Sequence, residues 1–425
     1  MSLETTTTPE GLRIYVDTIP SAETTKINAF VGVGSVHESD KLAGISHALE
    51  HCVHISTKLF PNEQALDEFT GINSLMANAD TYYNRTCYYA TGPYVEPNMK
   101  RLGQILFQPT FDPTYIDNEM LTVAREGQEF RDNIDSLHGV ASDLTLFGKP
   151  YGRNVGGYAD NIDYTSEQLK KFYKHHYTAS NMAIVAVGNV SMDEILKYSK
   201  KYFEFTHNEK PSVTLPIPKR ADTLTTGLLS GASSAVVRIA SPMDSSFVER
   251  YMDNKTAYIA GAVAINALCY QHFRTDTGIS YDSGFFISDY NSPNAWSLIC
   301  DATVDPQKIN EAKSLINDIF SRTNDNYSDT AIASAIGSTR SDILCKMDSI
   351  EDRTELYIQN LEQQIEPIDP RLVADSAYHV QHDSVRLAID DIVEHIATHP
   401  PITHITGPKK AIKSVDKIIE VDEIA

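Results

Sequence analysis

Apolar positions in the first half of the chain follow two different periods. Residues 11–16 and 26–34 alternate apolar with polar or small side chains, which is typical of half-buried strands. Residues 182–188 form a short apolar run that predicts a buried strand, whereas residues 97–108 and 113–133 have helical patterns. The pattern therefore predicts a sheet that is covered by helices.

The order of predicted elements repeats after roughly 200 residues, which is about the size of one domain. Strand-like residues 235–239 precede an apolar helix at 257–268, and prolines among polar residues predict a linker at 211–222. We therefore expect an α+β protein with two homologous α/β-sandwich domains, 1–210 and 223–425. Each domain is predicted to be a mostly antiparallel sheet covered by helices.

Composition narrows the class of protein. The 425 residues exceed one ordinary domain, and 41% hydrophobic with 22% charged residues is usual for a folded protein. The formal net charge of -21 argues against nucleic acid as a partner, because an acidic surface repels the phosphate backbone.

Cysteines and the N-terminus bear on location. The five cysteines include no C-x-x-C pair, which predicts a reducing compartment and no disulfide framework. Residues 1–10 form a threonine-rich polar segment, interpreted as a tail, without the basic and apolar regions of a secretory signal. No run of about 18 apolar residues predicts a membrane span. We therefore expect a cytoplasmic protein.

One short motif carries candidate metal chemistry. In a helix, His47 and His51 lie four residues apart on one face, so their imidazoles converge on one point. Glu50 borders that face, within reach of a water at a metal ion. The H-x-x-E-H order is that of the inverzincin zinc peptidases. By spacing alone, a polar helix face explains the motif equally well.

A third ligand would have to come from elsewhere, because two histidines leave a zinc ion too open. The predicted helix at 113–133 carries three candidates, Glu119, Glu126 and Glu129. Spacing does not choose among these carboxylates, and a solvated acidic face is the alternative interpretation.

Other candidate groups are weaker. His395 and His399 are also four residues apart, with only Asp391 as a carboxylate on the same face, and they lie at a predicted helix end before two prolines. His54 extends the first motif but is interpreted as a core residue or a support of the ligands. Cys52 points about 100° away from His51 and is interpreted as a buried apolar residue.

Together these motifs resemble the pitrilysin, or insulinase, family of zinc metallopeptidases, and specifically its mitochondrial-processing-peptidase-like branch of short subunits. The resemblance covers nearly the whole chain. Residues 44–51 match the family's G-x-x-H-x-x-E-H, and residues 78–81 with Thr86 and Tyr88 match its N-A-x-T and T-x-Y. Residues 274–281 resemble its R-E-K-x-G-L-A-Y.

The resemblance implies a role for each residue near the first motif. It implies one Zn²⁺ per chain, held by His47, His51 and Glu126, with Glu119 supporting the site. It also implies that Glu50 acts as the general base of peptide hydrolysis.

The resemblance further implies how a substrate is held. The strand with Asn78 and Ala79 would pair with the substrate backbone, and Arg274 and Tyr281 would bind and polarise the substrate carbonyl. The sequence departs from the family before the arginine, because residues 267–273 leave no room for the usual glycine-rich loop.

The function implied is a zinc-dependent endopeptidase that cleaves peptides or unfolded segments inside a dimer chamber. In relatives, the arginine and tyrosine come from the opposing half of a clam-like assembly, and this chain corresponds to one half. We therefore expect a homodimer, with a heterodimer of related subunits as the alternative. The rival functions are a non-catalytic partner or scaffold subunit and a plain metal-binding module. The presence of every motif residue favours the peptidase.

Overall fold

A computed structural model describes residues 3–205, 211, 215–220, 224–289 and 293–425. The chain forms two compact units. The first unit comprises Met1–Glu129, Asn154–Leu215 and Met347–Pro370. The second unit comprises Phe130–Arg153, Pro216–Lys346 and Arg371–Ala425.

The units are not two continuous halves of the chain, because each takes a segment from the other half. Residues 212–214, 221 and 222 of the predicted linker lie outside the described residues. The division at 211–222 therefore stays a prediction about the order of domains along the chain.

Within the described residues, the first unit contains a six-stranded sheet whose strands are β1 (Glu4–Thr7), β2 (Arg13–Thr18), β3 (Thr25–Val31), β4 (Met76–Thr81), β5 (Thr86–Gly92) and β6 (Met182–Gly188). The strand order is β1-β2-β6-β3-β5-β4. The β2–β6 pair is parallel, and the other neighbours are antiparallel. β4 therefore forms one edge of this sheet.

The sheet of the second unit, again counted over the described residues, has six strands: β7 (Thr225–Leu229), β8 (Ala235–Pro242), β9 (Ser283–Ser288), β10 (Ser297–Val304), β11 (Ile402–Gly407) and β12 (Lys417–Ile419). Their order is β12-β7-β11-β8-β10-β9. β7 pairs in parallel with β11 and β12, and the remaining pairs are antiparallel. β9 takes the edge position that β4 has in the first sheet.

The helices are, in chain order, α1 (Ile45–Ile55), α2 (Glu63–Ile72), α3 (Val95–Phe107), α4 (Pro113–Asp132), α5 (Ile134–Phe147), α6 (Ser166–His176), α7 (Met192–Tyr202), α8 (Ser245–Asp253), α9 (Lys255–Tyr270), α10 (Ile309–Phe320), α11 (Asp329–Asp348), α12 (Ile350–Glu362), α13 (Pro370–His379) and α14 (His382–Thr398). Two α/β units with mixed sheets and covering helices confirm the predicted fold class. The clam-like pairing of chains stays a prediction.

Both faces of the first sheet are apolar, and this explains the exchange of helices. Every residue of β6 is buried, as expected for a strand that is covered on both sides. One face packs against α1, α3, α6 and α7, and the other packs against Tyr357, Ile358 and Leu361 of α12. Ile358 and Leu361 each contribute about 1.5–3 kcal/mol on burial.

The second unit has the reciprocal arrangement. Helix α5, from the first half of the chain, packs Leu137 and Ala141 against Leu228 of β7 and Ile419 of β12. The apolar pattern indicated that these sheets are covered, but it did not indicate that the covering helices are exchanged.

The prediction of a polar tail over residues 1–10 is wrong, because Glu4–Thr7 pairs with β2 as strand β1. Threonine is β-branched and favours extended backbone, so a partner strand is enough to order this segment. Helices α5, α8 and α13 were also not predicted from the sequence.

Candidate metal centre

Helix α1 is shaped by its N-terminal end and by its apolar side. At its start, Gly44 has φ = +99°, and a Cβ there would lie 2.4 Å from the carbonyl oxygen of Gly156. The carboxylate of Glu38 accepts the backbone N–H groups of Gly44 and Ser46, both at 2.8 Å, which satisfies donors that a helix start leaves open.

The buried side of α1 packs into the core through Ile45, Ala48, Leu49, Cys52 and Val53, which are all at most 1% exposed. Because these positions fix the rotation of the helix, the histidines and Glu50 lie on the opposite, partly buried side. The interpretation of Cys52 as a buried apolar residue agrees with this packing.

Two imidazoles and one carboxylate meet beside α1. The Nε2 atoms of His47 and His51 lie 3.5 Å and 3.3 Å from Oε2 of Glu126, which belongs to α4. The three ligand atoms lie within 4.8 Å of one another. The exposed Glu129 is not part of this cluster. The structure thus brings Glu126, of the three candidate carboxylates, to the two histidines.

Glu119 lies behind His51. Its Oε1 is 2.8 Å from Nδ1 of His51. A carboxylate only accepts hydrogen bonds, so Nδ1 donates, and the neutral ring presents the lone pair of Nε2 to Glu126. Burial would lower the pKa of His51, but the hydrogen bond to Glu119 and the carboxylates of Glu126 and Glu50 outweigh burial and raise it.

The donor set fits a zinc ion. Burial, with a smaller effect of His51, lowers the pKa of His47 to about 4, so this imidazole is neutral at pH 7 and its lone pair is free to bind. At 3.3 Å, lone pairs of His51 and Glu126 would repel each other unless a proton or a metal ion lies between them. Two imidazoles and a carboxylate are a ligand set that Zn²⁺ commonly takes, and a bound ion would displace any proton from Nε2 of His51.

Glu50 is close to the cluster but outside it. Its Oε2 accepts a hydrogen bond of 2.6 Å from the hydroxyl of Thr81 on β4. Burial raises the pKa of Glu50 to about 7, although the Thr81 hydrogen bond and His51 lower it, while Asp80 contributes to the rise. A carboxyl group with a pKa near neutral is suited to both accepting and returning a proton.

A polar cleft lies beside these residues. Asn78 and Ala79 of β4 line it together with Glu50, His51 and Glu119. An edge strand has unpaired N–H and C=O groups, to which an extended peptide can bind as an added strand.

Thr81 was matched to the N-A-x-T motif but was given no role by the sequence analysis. Its position two residues after Ala79 places both side chains on one face of β4, which is the signal that links Thr81 to the cleft. His54, which was interpreted as a core residue or a support of the ligands, also lines this cleft.

Arg274 and Tyr281 belong to the second unit and lie together there. The guanidinium carbon of Arg274 is 3.9 Å from the ring centroid of Tyr281 and 5.1 Å from that of Tyr270. Tyr281 is 79% exposed. Arg274 lies on a π-helical turn, Gln271–Asp276, that continues directly from α9. Helix therefore occupies the place where members of the family usually have a glycine-rich loop.

Two family models together match most of the chain. "Insulinase (Peptidase family M16)" matches residues 13–155, and "Peptidase M16 inactive domain" matches residues 163–339. The chain belongs to the M16, or insulinase, family of peptidases. The family prediction is confirmed. Within this M16 chain, the candidate metal residues all lie in the first matched region.

Relatives of this M16 chain include proteins named as zinc proteases. A probable mitochondrial-processing peptidase beta subunit of Arabidopsis thaliana is 34% identical over 206 residues, 47% of this chain and 38% of that protein. An uncharacterized zinc protease of Rickettsia felis is 22% identical over 404 residues, 94% of this chain and 96% of that protein. The chain thus spans well under half of the first relative and nearly all of the second.

Solved structures confirm the fold. The crystal structure of a putative M16-like peptidase from Alicyclobacillus acidocaldarius has a TM-score of 0.79 at 16% identity, covering 96% of this chain and 98% of that one. In the part of the M16 chain that the structure describes, no helix combines the length and apolarity needed to cross a membrane.

Proposed function

We propose that this M16 chain is a zinc-dependent endopeptidase that binds one catalytic zinc ion per chain through His47, His51 and Glu126. The observation that carries the proposal is the meeting of these three donors beside a carboxyl group, Glu50, whose pKa is raised to about 7. Bound zinc supplies Lewis acidity, which lowers the pKa of water to ~7 and polarises a carbonyl group.

The residues around the zinc ligands would each have a separate role in peptide hydrolysis. Glu119 holds the ring of His51 with Nε2 towards the site. Glu50 accepts the proton from the attacking water and donates it to the leaving amine. The edge strand β4 binds the substrate backbone next to Asn78 and Ala79.

We further propose that Arg274 and Tyr281 stabilise the oxyanion from a second copy of the chain, which makes the enzyme a homodimer enclosing its substrate. The name of the Arabidopsis relative, a beta subunit, supports a paired assembly, and a heterodimer is the alternative.

Mixing inactive Glu50→Gln and Tyr281→Phe chains tests whether one active site takes residues from two chains. About a quarter of the activity should return, because half the dimers are mixed and each has one intact site. If the chains exchange between dimers and no activity returns, the result would count against an active site that is shared between two chains.

A non-catalytic partner subunit is the second candidate. It is favoured by the description of the second matched model as an inactive domain. That model matches residues 163–339 and so does not include the candidate metal residues, which leaves the peptidase as the better supported function.

Zinc analysis combined with digestion of a mixed peptide pool separates the two functions. The peptidase should contain zinc and cleave peptides, and a chelator should abolish the cleavage until zinc is returned. A chain that cleaves nothing while it contains zinc would support the partner subunit.

A cytoplasmic location is also part of the proposal, because all five cysteines are free, as expected in a reducing compartment.

A further inference from the structure

The second unit contains another group of imidazole and carboxylate donors. Ligand atoms of Asp244, His395 and His399 lie within 4.8 Å of one another. By sequence position, Asp391 is the carboxylate on the same helix face as the two histidines. In the structure, however, Arg250 engages both carboxylate oxygens of Asp391, each at 3.0 Å. The structure supplies Asp244 instead, from the start of α8.

Hydrogen bonds to backbone carbonyls fix both imidazole rings. Nε2 of His395 lies 2.9 Å from the carbonyl oxygen of Pro242, and Nδ1 of His399 lies 3.1 Å from the carbonyl oxygen of His395. A carbonyl oxygen only accepts, so both of these nitrogens donate. In the neutral rings, Nδ1 of His395 and Nε2 of His399 therefore have free lone pairs. Metal-binding histidines are typically held in this way.

Asp244 is fixed as firmly. Its Oδ1 accepts hydrogen bonds from the backbone N–H of Phe247 at 2.7 Å and from the hydroxyl of Ser246 at 2.9 Å. The second oxygen, Oδ2, then lies 3.3 Å from Nε2 of His399. Two lone pairs at this distance repel each other unless a proton or a metal ion lies between them.

The donors of this site lie close together and are open to solvent. The two imidazole rings stack with centroids 4.2 Å apart, and the ring of His395 also packs 4.5 Å from that of Phe247. His395 is 4% exposed, whereas the side chains of His399 and Asp244 are each 40% exposed. An ion can therefore reach these donors, and because the two ring planes differ by only 19°, the exposed His399 ring has to tilt before both lone pairs meet at one ion. An ion pair uses only Asp244 and His399 and leaves the third donor unexplained.

We propose that Asp244, His395 and His399 form a second metal site, which binds a divalent transition-metal ion of the zinc class. Two imidazoles and one carboxylate favour such an ion over Ca²⁺ or Mg²⁺, which prefer oxygen ligands. With three protein ligands, water completes the coordination. The ion links the C-terminal end of α14 to the N-terminus of α8, so its binding stabilises the second unit. The proposal does not depend on the peptidase function.

Zinc binding to the 425-residue chain, after removal of the cluster of His47, His51 and Glu126, tests the proposal. In the His47→Ala/His51→Ala chain, equilibrium dialysis with elemental analysis should still find one zinc ion bound per chain. Adding His399→Ala, or Asp244→Asn, which keeps the cap of α8, should weaken zinc binding at least about tenfold. Zinc should also raise the melting temperature of the parent chain, and this rise should disappear in both variants.

The matched control is His379→Ala, which removes an exposed histidine that also stands near a carboxylate, with Nδ1 3.5 Å from Oδ2 of Asp375. It should leave zinc binding unchanged. The proposal is overturned if the parent chain binds no zinc, as expected for a proton-held ion pair. It is also overturned if zinc binding survives both His399→Ala and Asp244→Asn, or if His379→Ala weakens it as much.

Discussion

Helices α1 and α9 occupy equivalent places in the two units but carry different chemistry. Each follows the third strand from one edge of its sheet, β3 or β8, and precedes the edge strand, β4 or β9. α1 presents His47, Glu50 and His51, whereas α9 buries small apolar residues such as Ala260 and Ala264. The fold needs only the apolar side of this helix, so its other side is free to differ between the repeats.

The link from each helix to its edge strand shows the difference most clearly. In the second unit, the side-chain oxygen of Asn266 on α9 accepts the backbone N–H of Phe285 on β9 at 3.0 Å. In the first unit, Glu50 accepts the hydroxyl of Thr81 on β4 at 2.6 Å. One link ends in a neutral amide and the other in a carboxyl group whose pKa is raised to about 7. A contact from this helix to its edge strand can therefore also hold an ionisable group in place.

The largest of three expected effects is on zinc affinity in the first unit. Glu119→Gln removes the carboxylate that holds Nδ1 of His51, so zinc affinity should fall by about 10–100-fold. Competition with a chromogenic chelator measures this affinity. Glu129→Gln, an exposed change on the same helix, is the matched control and should have no effect. Equal affinities of the two variants would contradict the role of Glu119.

Removal of the Thr81 hydroxyl should change the pH dependence of cleavage. The hydrogen bond from Thr81 lowers the pKa of Glu50, so Thr81→Val should raise it. A general base works only when it is deprotonated, and its activity is lost as the pH falls through its pKa. The acid limb of kcat/KM should therefore move to higher pH, and the rate at pH 7 should fall about tenfold.

Thr81→Ser keeps the hydroxyl and serves as the control for this experiment. Its acid limb should coincide with that of the wild type. A Thr81→Val profile that differs only in height, with no shift along the pH axis, would mean that Thr81 has a structural role alone.

The smallest effect is expected for the contact between α9 and β9 in the second unit. Asn266→Ala removes the acceptor of the Phe285 N–H, so the second unit should lose about 1 kcal/mol of stability. Thermal unfolding should show a lower melting temperature, while zinc affinity at the first cluster and the pH profile stay unchanged. A shift of the pH profile in Asn266→Ala would contradict the claim that the polar contact of α9 has a structural role only.

Local pattern made much of this molecule predictable. The i, i+4 spacing of His47 and His51 and the apolar positions between them anticipated both the helix and its polar side. The spacing did not decide which of three carboxylates is the third metal ligand, because only the packing of α4 against the core determines which one reaches the histidines. The family resemblance had already named Glu126.

Long-range contacts were beyond the sequence. The run at 182–188 indicated a strand buried on both faces, but not that α12, about 160 residues later, covers one face. Asp244 lies about 150 residues before His395, and its role as the cap of α8 hides it in the sequence. Such neighbours depend on how the elements pack, which periodicity does not record.

The most direct test of the central claim is kcat/KM together with the zinc content of Glu50→Gln. The side chain is nearly isosteric and Glu50 is not among the three ligand residues, so the variant should keep the zinc content of the wild type. It cannot accept a proton, so cleavage should fall by about 10²–10⁴-fold. A zinc-loaded Glu50→Gln chain that cleaves peptides at the wild-type rate would contradict the account.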